Sequence, residues 1–288
     1  MILVTGASGT IGRPLIDLLR AEGAEVRAVT RDARATGLPA DVEVVEGDPS
    51  RPDTIASFLK GVTAVFLHPR AVGNGAGELL ALARDRGVKR VVVLSSINVD
   101  DNLDSQPSRH RGDRNKEAED AAGASGLQWV SLRAGSFADN ALRAWGAQIR
   151  AGDLVRFPYA TFSEAPIHER DLAATGARAL LTDDLVGRRG RRLQLTGPQS
   201  LTHAAMVTTI GDVTGRRLHY QEIPPETATQ TMIAHGSPEP FVQALMARYA
   251  REIAHAAPVT GEVERILGRP ALTFAEWVAD HAADFRNC

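Results

Sequence analysis

The sequence predicts an α/β protein built on a doubly wound, mostly parallel sheet, followed by a smaller, mainly helical C-terminal lobe. Three observations carry that expectation. The apolar run Ile2-Leu3-Val4 passes directly into glycines spaced three apart, Gly6, Gly9 and Gly12, and then into a helical spacing of Ile11, Leu15, Leu18 and Leu19. Short β-branched runs then alternate with helical segments to about residue 132, as βα units feeding a parallel sheet do. From residue 201 onward the pattern is mainly helical, broken at Gly215, Pro224-Pro225, Pro238 and Pro258. Residues 1–152 are therefore assigned to the sheet domain, with sheet elements returning near 165–196, and residues 153–288 to the lobe.

The opening strand, turn and helix set the chemistry. Glycine is needed for backbone access: Gly6 for a tight turn, Gly9 so that the main chain can approach a diphosphate, and Gly12 so that the helix packs close to the strand. Free N–H groups at the start of the helix then face the anion. A glycine triplet alone is weak, but one that joins a strand to a helix is specific.

The remaining elements follow in order. Residues 25–30 alternate as a second strand and end at Thr30-Arg31-Asp32. The residue closing that strand stands beside an adenosine ribose in this architecture, where an acid suits a 2′-hydroxyl and an arginine a 2′-phosphate. Arg31, with Arg13 and Arg34 in reach, favours NADP; Asp32, one residue on, keeps NAD open. Residues 42–46 form a third strand before Gly47-Asp48-Pro49, where Asp48 either meets an adenine amino group or turns the chain. A helix over 52–60 and a buried strand over 63–67 lead to a loop, His68-Pro69-Arg70, expected to overlie the middle of the cofactor. A helix over 76–86 and a strand over 90–94 end at Ser95-Ser96, whose hydroxyls are expected at the nicotinamide. Residues 98–114 read as a mobile polar flap, residues 115–124 as a helix and residues 128–132 as a sixth strand. Beyond it come an amphipathic helix over 137–149, an extended stretch over 155–165, a helix over 169–181 and a strand over 192–196.

Composition excludes several classes. The chain has 288 residues, 43% hydrophobic and 24% charged, with a formal net charge of −2, so no nucleic-acid partner is expected; the basic cluster Arg188-Arg189 and Arg191-Arg192 around Gly190 reads as a solvated turn. Cys288 is the sole cysteine, which rules out an intrachain disulfide and a cysteine metal site. No run approaches the ~20 apolar residues of a membrane span, and no leader is read before the first strand, so a cytoplasmic protein is expected. No metal site is expected, because His168-Glu169 lacks a second histidine at the required spacing. Monomer and homodimer both stay open.

The chain resembles the NmrA-like branch of the atypical short-chain dehydrogenases/reductases. The resemblance rests on Gly6-x-x-Gly9-x-x-Gly12, on Arg31, on Val91-Val92-Val93-Leu94-Ser95-Ser96 and on the segment from Ser125 through Leu132-Arg133. It continues through Phe137-Ala138-Asp139-Asn140, Ile167-His168-Glu169-Arg170-Asp171-Leu172-Ala173, Leu195-Thr196-Gly197-Pro198 and Phe274-Ala275-Glu276-Trp277. It implies a Rossmann-like fold that binds NADP or NAD, with Gly6, Ser8, Gly9, Thr10, Ile11 and Gly12 cradling the pyrophosphate and Arg31 selecting the 2′-phosphate. His68 and Ser95 would line the ribose and nicotinamide, and Phe137 and Asn140 the edge of the substrate cleft; Ser96 is assigned to the substrate side from its place at the end of the fifth strand, apart from the resemblance. The family divides between reductases of quinone-like or other small acceptors and non-catalytic redox sensors.

One departure matters. Reductases of the broader superfamily carry Tyr-x-x-x-Lys on the helix after the fifth strand, where the lysine lowers the tyrosine pKa for proton transfer. Here the tyrosines are Tyr159, Tyr220 and Tyr249, none with lysine four residues on. Counting back from Glu119 puts Arg111 and Asn115 at the pair, and counting from Lys116 puts Gly112 at the tyrosine. His110 and His168 are the remaining candidates for proton transfer near neutrality. The leading expectation is an NADP(H)-dependent oxidoreductase acting on a small quinone-like or carbonyl acceptor. A non-catalytic NADP(H) sensor is the alternative, and an epimerase-like enzyme a distant third.

Overall fold

The computed structural model describes residues 1–33 and 37–286; Arg34 and Cys288, both named above, lie outside them. In chain order the strands are β1 (Ile2–Val4), β2 (Val26–Thr30), β3 (Glu43–Glu46), β4 (Ala64–Leu67), β5 (Arg90–Ser96), β6 (Gln128–Ala134), β7 (Leu154–Phe157), β8 (Ser163–Glu164), β9 (Arg191–Leu195), β10 (Leu201–Thr202) and β11 (His219–Glu222). The α-helices are α1 (Gly12–Ala21), α2 (Pro69–Val72), α3 (Ala76–Asp85), α4 (Asn115–Ala124), α5 (Ala147–Ala151), α6 (Glu169–Leu181), α7 (His203–Thr214), α8 (Pro225–Ala234), α9 (Glu239–Glu252), α10 (Glu262–Leu267) and α11 (Phe274–Asp280). These elements form two units interleaved in sequence. The first comprises Met1–Asp100, Gly112–Ala134 and Glu169–Gln194; the second comprises Asp101–Arg111, Gly135–His168 and the chain from Leu195 onward. The division drawn at residue 152 and the two units follow different lines.

In the first unit, seven strands form one sheet in the order β3-β2-β1-β4-β5-β6-β9. The pairs from β3 to β6 are parallel. The strand order reverses at β1, and a ligand crevice opens beyond the carboxyl ends at such a point. That is where the glycine triplet stands.

Both faces of this sheet are covered, which explains why β4 is buried along its whole length rather than alternating. Val65 and Leu67 join Leu79, Leu80 and Ala83 of α3 and Ala118 and Ala122 of α4 in one apolar cluster. Phe66 points the other way, where a Cβ on Gly176 of α6 would stand 3.6 Å from Phe66, Leu15 and Leu132. Leu15 belongs to α1, so α1 and α6 cover one face and α3 and α4 the other. Within α1, Gly12, Leu15, Ile16 and Leu19 are the buried residues and fill an arc of about 100°. Leu18, grouped with them by spacing, falls outside that arc and is 36% exposed.

Three local differences from the sequence reading bear on the site. The segment His68-Pro69-Arg70 is not an open loop: Pro69 starts the one-turn helix α2 behind an extended His68, since proline's fixed φ suits a first helical position. Strands β5 and β6 run two residues further, because Ser95 and Ser96 pair with Arg133 and Ala134. The stretch read as a polar flap holds two 3₁₀ turns, Leu103–Ser105 and Pro107–Arg111, closed by the Asn102 cap on Asp104 and a bond from Gln106 Nε2 to Asp101 O.

The second unit has its own core of Trp145, Phe157, Phe162, Tyr249, Phe274, Trp277 and Phe285. Strand β7 pairs with β11 and β8 with β10. The helix expected over 137–149 starts later, at Asn140, and passes through a π-helical turn at Leu142–Gly146 into α5. Phe137 is held instead in a bridge to Ile167. Among the described residues no helix is long and apolar enough to cross a membrane.

Candidate functional site

The turn between β1 and α1 is stitched to the neighbouring strand. The Thr5 hydroxyl donates to Phe66 O at 3.0 Å and accepts from the His68 amide at 2.8 Å, fixing the carboxyl ends of β1 and β4 together. Gly6 has φ of +67°, a left-handed conformation that an L side chain adopts at a cost. Gly9 donates its amide to Gly6 O at 3.1 Å. A Cβ on Gly12 would stand 2.2 Å from Gly6 O and 2.7 Å from Ala7 Cα, so only glycine lets the helix start this close to the strand.

What the turn leaves open is equally specific. Ser8, Gly9 and Thr10 are exposed, and a Cβ on Gly9 would meet only Gly6 O, at 3.3 Å. Helix α1 has no side-chain cap. Among the described residues the amides of Thr10, Ile11 and Gly12 find no acceptor. Three unsatisfied donors at a helix N-terminus, beside a position cleared of side chains, fit an anion the size of a diphosphate.

The flanks carry charge. Arg31 is exposed at the end of β2. Arg13 on α1 is committed to the backbone, donating to Ser8 O at 3.0 Å and Gly37 O at 3.1 Å. Asp48 accepts from the amide and hydroxyl of Ser50, at 3.0 and 2.7 Å. The Ser50 bonds, aided by the charges of Arg51 and Arg31, hold its carboxyl below the usual range against the opposing effect of burial. Its carboxylate thus closes its own turn.

His68 packs its ring against Gly6, where a Cβ would come within 2.8 Å of the ring Cγ. Its Nδ1 is buried and has no partner among the described residues. Burial pushes the imidazole pKa down, with the Asp113 carboxylate opposing and Arg70 reinforcing the shift. Asp113 and Arg70 are themselves a bidentate pair at 2.9 and 3.0 Å, which ties α2 to the segment before α4.

The two serines at the end of β5 part company. Ser95 is 4% exposed and donates to Glu119 Oε2 at 3.0 Å, whereas Ser96 is only half-buried and pairs with Asn98. Glu119, on α4 and 3% exposed, was only a register mark in the sequence; here it collects five hydrogen bonds. Ser131 donates at 2.6 Å, Arg133 at 2.5 and 3.1 Å, and Arg192 at 2.8 Å, besides Ser95. Burial raises its carboxyl, but the bonds from Arg133, Ser131 and Arg192 outweigh that and lower it to about 2. Arg192 is therefore not merely part of a solvated turn; it also lies over the Trp129 ring at 4.9 Å. The signal that could have exposed this cluster was Arg133 inside an otherwise buried strand, since a buried arginine demands a partner.

The other candidate residues belong to the second unit. Asn140 Nδ2 donates to Ser136 Oγ at 3.2 Å, and Phe137 is half-buried. His110 meets Asp104 O at 3.0 Å. His168 is 1% exposed with Nε2 3.3 Å from Asp280 Oδ2, in the interior of that unit. Among the described residues no group of three or more His, Cys, Asp or Glu could hold a metal ion.

Comparison with known proteins agrees with this geometry. A family model described as NAD(P)H-binding matches residues 6–183, a span that starts at the first glycine of the turn. The chain is 32% identical over 287 residues to the (4-alkanoyl-5-oxo-2,5-dihydrofuran-3-yl)methyl phosphate reductase of Streptomyces griseus, covering 99% of each chain. It is also 32% identical over 291 residues to the NAD(P)H azoreductase of Xenophilus azovorans, again covering 99% of each. In fold it is similar to the NADPH-dependent quinone oxidoreductase of Escherichia coli solved with NADPH, with a TM-score of 0.82 at 21% identity over 98% of this chain and 100% of that one. With donors at the helix start, a sheet that reverses order beside them and relatives matched end to end, the chain has a Rossmann-like fold and belongs to the NAD(P)H-binding family.

Proposed function

We propose that this protein is an NADP(H)-dependent reductase of a small organic acceptor, quinone-like or carbonyl, that works without a tyrosine–lysine pair. The observation that carries the proposal is the turn at Gly6–Gly12, whose three amides without an acceptor among the described residues and whose bare Gly9 suit a dinucleotide diphosphate. Arg31 at the end of β2 favours the 2′-phosphate of NADP over a free ribose. The relatives named as an azoreductase and as a reductase of an oxo-dihydrofuran phosphate support a small acceptor.

Bound NADPH would supply hydride; the chain's residues bind, orient and exclude. The amides of Thr10, Ile11 and Gly12 would hold the diphosphate, His68 would line the ribose side where its ring backs Gly6, and Ser96 stands at the end of β5. A quinone-like acceptor that has taken hydride can collect its proton from water. Tyr249 is 6% exposed and Tyr220 donates to Pro158 O at 2.7 Å; burial pushes both phenols up, so neither is primed as an acid.

Stopped-flow measurement of NADPH oxidation across quinones, azo compounds and carbonyls tests the activity, with at least one acceptor expected to oxidise the bound nucleotide. Tight NADPH binding with no oxidation by any acceptor would leave the second reading, a redox sensor that binds NADP(H) without turnover. The missing tyrosine–lysine pair is the observation that favours it.

A further inference from the structure

Glu119 is a costly residue to bury. A carboxylate taken out of water is stabilised only if its oxygens are matched by donors, and an apolar side chain of similar size commonly serves stability as well or better. What the buried charge supplies instead is geometry. Its five bonds come from β5, β6 and β9; Ser95 and Arg133 are the residues next to the last in β5 and β6, at the carboxyl ends where such a sheet presents ligands.

Two consequences reach the surface of that edge. Ser95 is held inward on Glu119 Oε2, so strand alternation turns Ser96 to the opposite side. Arg133, oriented by two bonds to Glu119, extends its other nitrogen to Asp100 Oδ2 at 2.7 Å. Asp100 ends the segment that follows β5, which is further closed by Val99 N donating to Ser96 O at 3.1 Å and Ile97 N to Ala134 O at 2.9 Å. Charges within the group balance: Glu119 and Asp100 against Arg133 and Arg192. Lys116 lies 4.0 Å from Asp100 and 2.7 Å from Asp120 at the rim.

We infer that Glu119 is a positioning residue for the nicotinamide end of the cofactor site, acting through Ser95 and the Arg133–Asp100 link to fix segment 96–100 against β5. It touches neither cofactor nor acceptor and does no chemistry itself. The inference rests on the reductase reading for the identity of that end, while the fixing of the segment stands on the hydrogen bonds alone.

The test compares Glu119→Gln, which keeps the shape and loses the charge, with Ser131→Ala, which removes one donor from the same carboxylate and leaves Ser95 and the Arg133–Asp100 link in place. Hydrogen exchange of the NADPH-bound protein is expected to show the Ile97 and Val99 amides exchanging about tenfold or more faster in Glu119→Gln, with the Gly6–Gly12 turn and the NADPH Kd unchanged. Ser131→Ala should leave those two amides at the wild-type rate. With any acceptor the wild type reduces, Glu119→Gln should lower kcat roughly 10- to 100-fold, the scale of a misplaced reacting group, with KM for NADPH unchanged. Local loosening without turnover in the wild type would sink the reductase reading and keep the positioning role. Exchange that rises evenly across the sheet, or a Glu119→Gln kcat equal to wild type, would overturn the positioning role and leave the reductase reading intact.

Discussion

The ring of His68 fills the space that a side chain on Gly6 would need: a Cβ there would stand 2.8 Å from the ring Cγ and 2.9 Å from the histidine Cβ. The glycine at the end of β1 and the histidine at the end of β4 are thus fitted to each other, with the Thr5 hydroxyl bonded to the His68 amide beside them. The glycine turn is held from behind by its neighbouring strand.

Gly6→Ala should therefore cost more than left-handed strain alone. The strain is about 1–2 kcal/mol, and displacing His68 adds to it. Gly23→Ala is the control, because Gly23 shares a positive φ of +73° but has open space around it. Urea unfolding should show a larger midpoint drop for Gly6→Ala, and fluorescence titration should show loss of NADPH binding for that variant only.

Gly12→Ala places a Cβ 2.2 Å from a backbone oxygen with no flexible side chain to yield. The helix start must move, at about 1–3 kcal/mol by analogy with overpacked cores. Calorimetry should find NADPH affinity reduced along with stability.

Replacing Arg31 by Ala should weaken NADPH binding by about 1–3 kcal/mol, the scale of a charge-assisted hydrogen bond, with little effect on NADH. Parallel titrations with the two nucleotides check this, and equal losses would remove Arg31 from the 2′-phosphate.

Acid should expose the Glu119 cluster. Its carboxyl is lowered from 4.5 to about 2 in the folded chain, so the stabilisation is complete above the unfolded value and is lost as pH falls between those two values. The full contribution is on the order of 3 kcal/mol. Glu119→Gln should be less stable than wild type at pH 7 and show a flatter decline when unfolding is followed down this range.

Gly190, with φ of +68°, is pressed under Trp129: a Cβ would fall 1.9 Å from the indole Cε2. Gly190→Ala should push the indole out of place and lower stability by ~2 kcal/mol or more, combining left-handed strain with overpacking. Loss of the near-ultraviolet circular dichroism signal of Trp129 alongside a lower thermal midpoint would register it.

Much of the fold was legible because it depends on local pattern. Fully apolar runs such as Ala64–Leu67 announce strands buried on both faces, and a glycine triplet that joins a strand to a helix announces the turn between them. The strand ends were less legible. Ser95, Ser96, Arg133 and Ala134 are polar or small, and they extend β5 and β6 only because each has a partner across the sheet. The interleaving of the two units, in which Asp101–Arg111 leaves the first unit and Glu169–Gln194 returns to it, has no local signature.

By itself the sequence determined the glycine turn between β1 and α1, the parallel order of βα units and the arginine at the end of β2, because each is set by backbone sterics, periodicity or charge within a few residues. Tertiary structure decided what the polar residues do: Ser95 turns to Glu119, His168 to Asp280, and Arg192 crosses to a helix more than seventy positions away in the chain. A buried donor or acceptor takes whatever partner folding brings within about 3 Å, and distance in space between remote residues is written in no single stretch of chain.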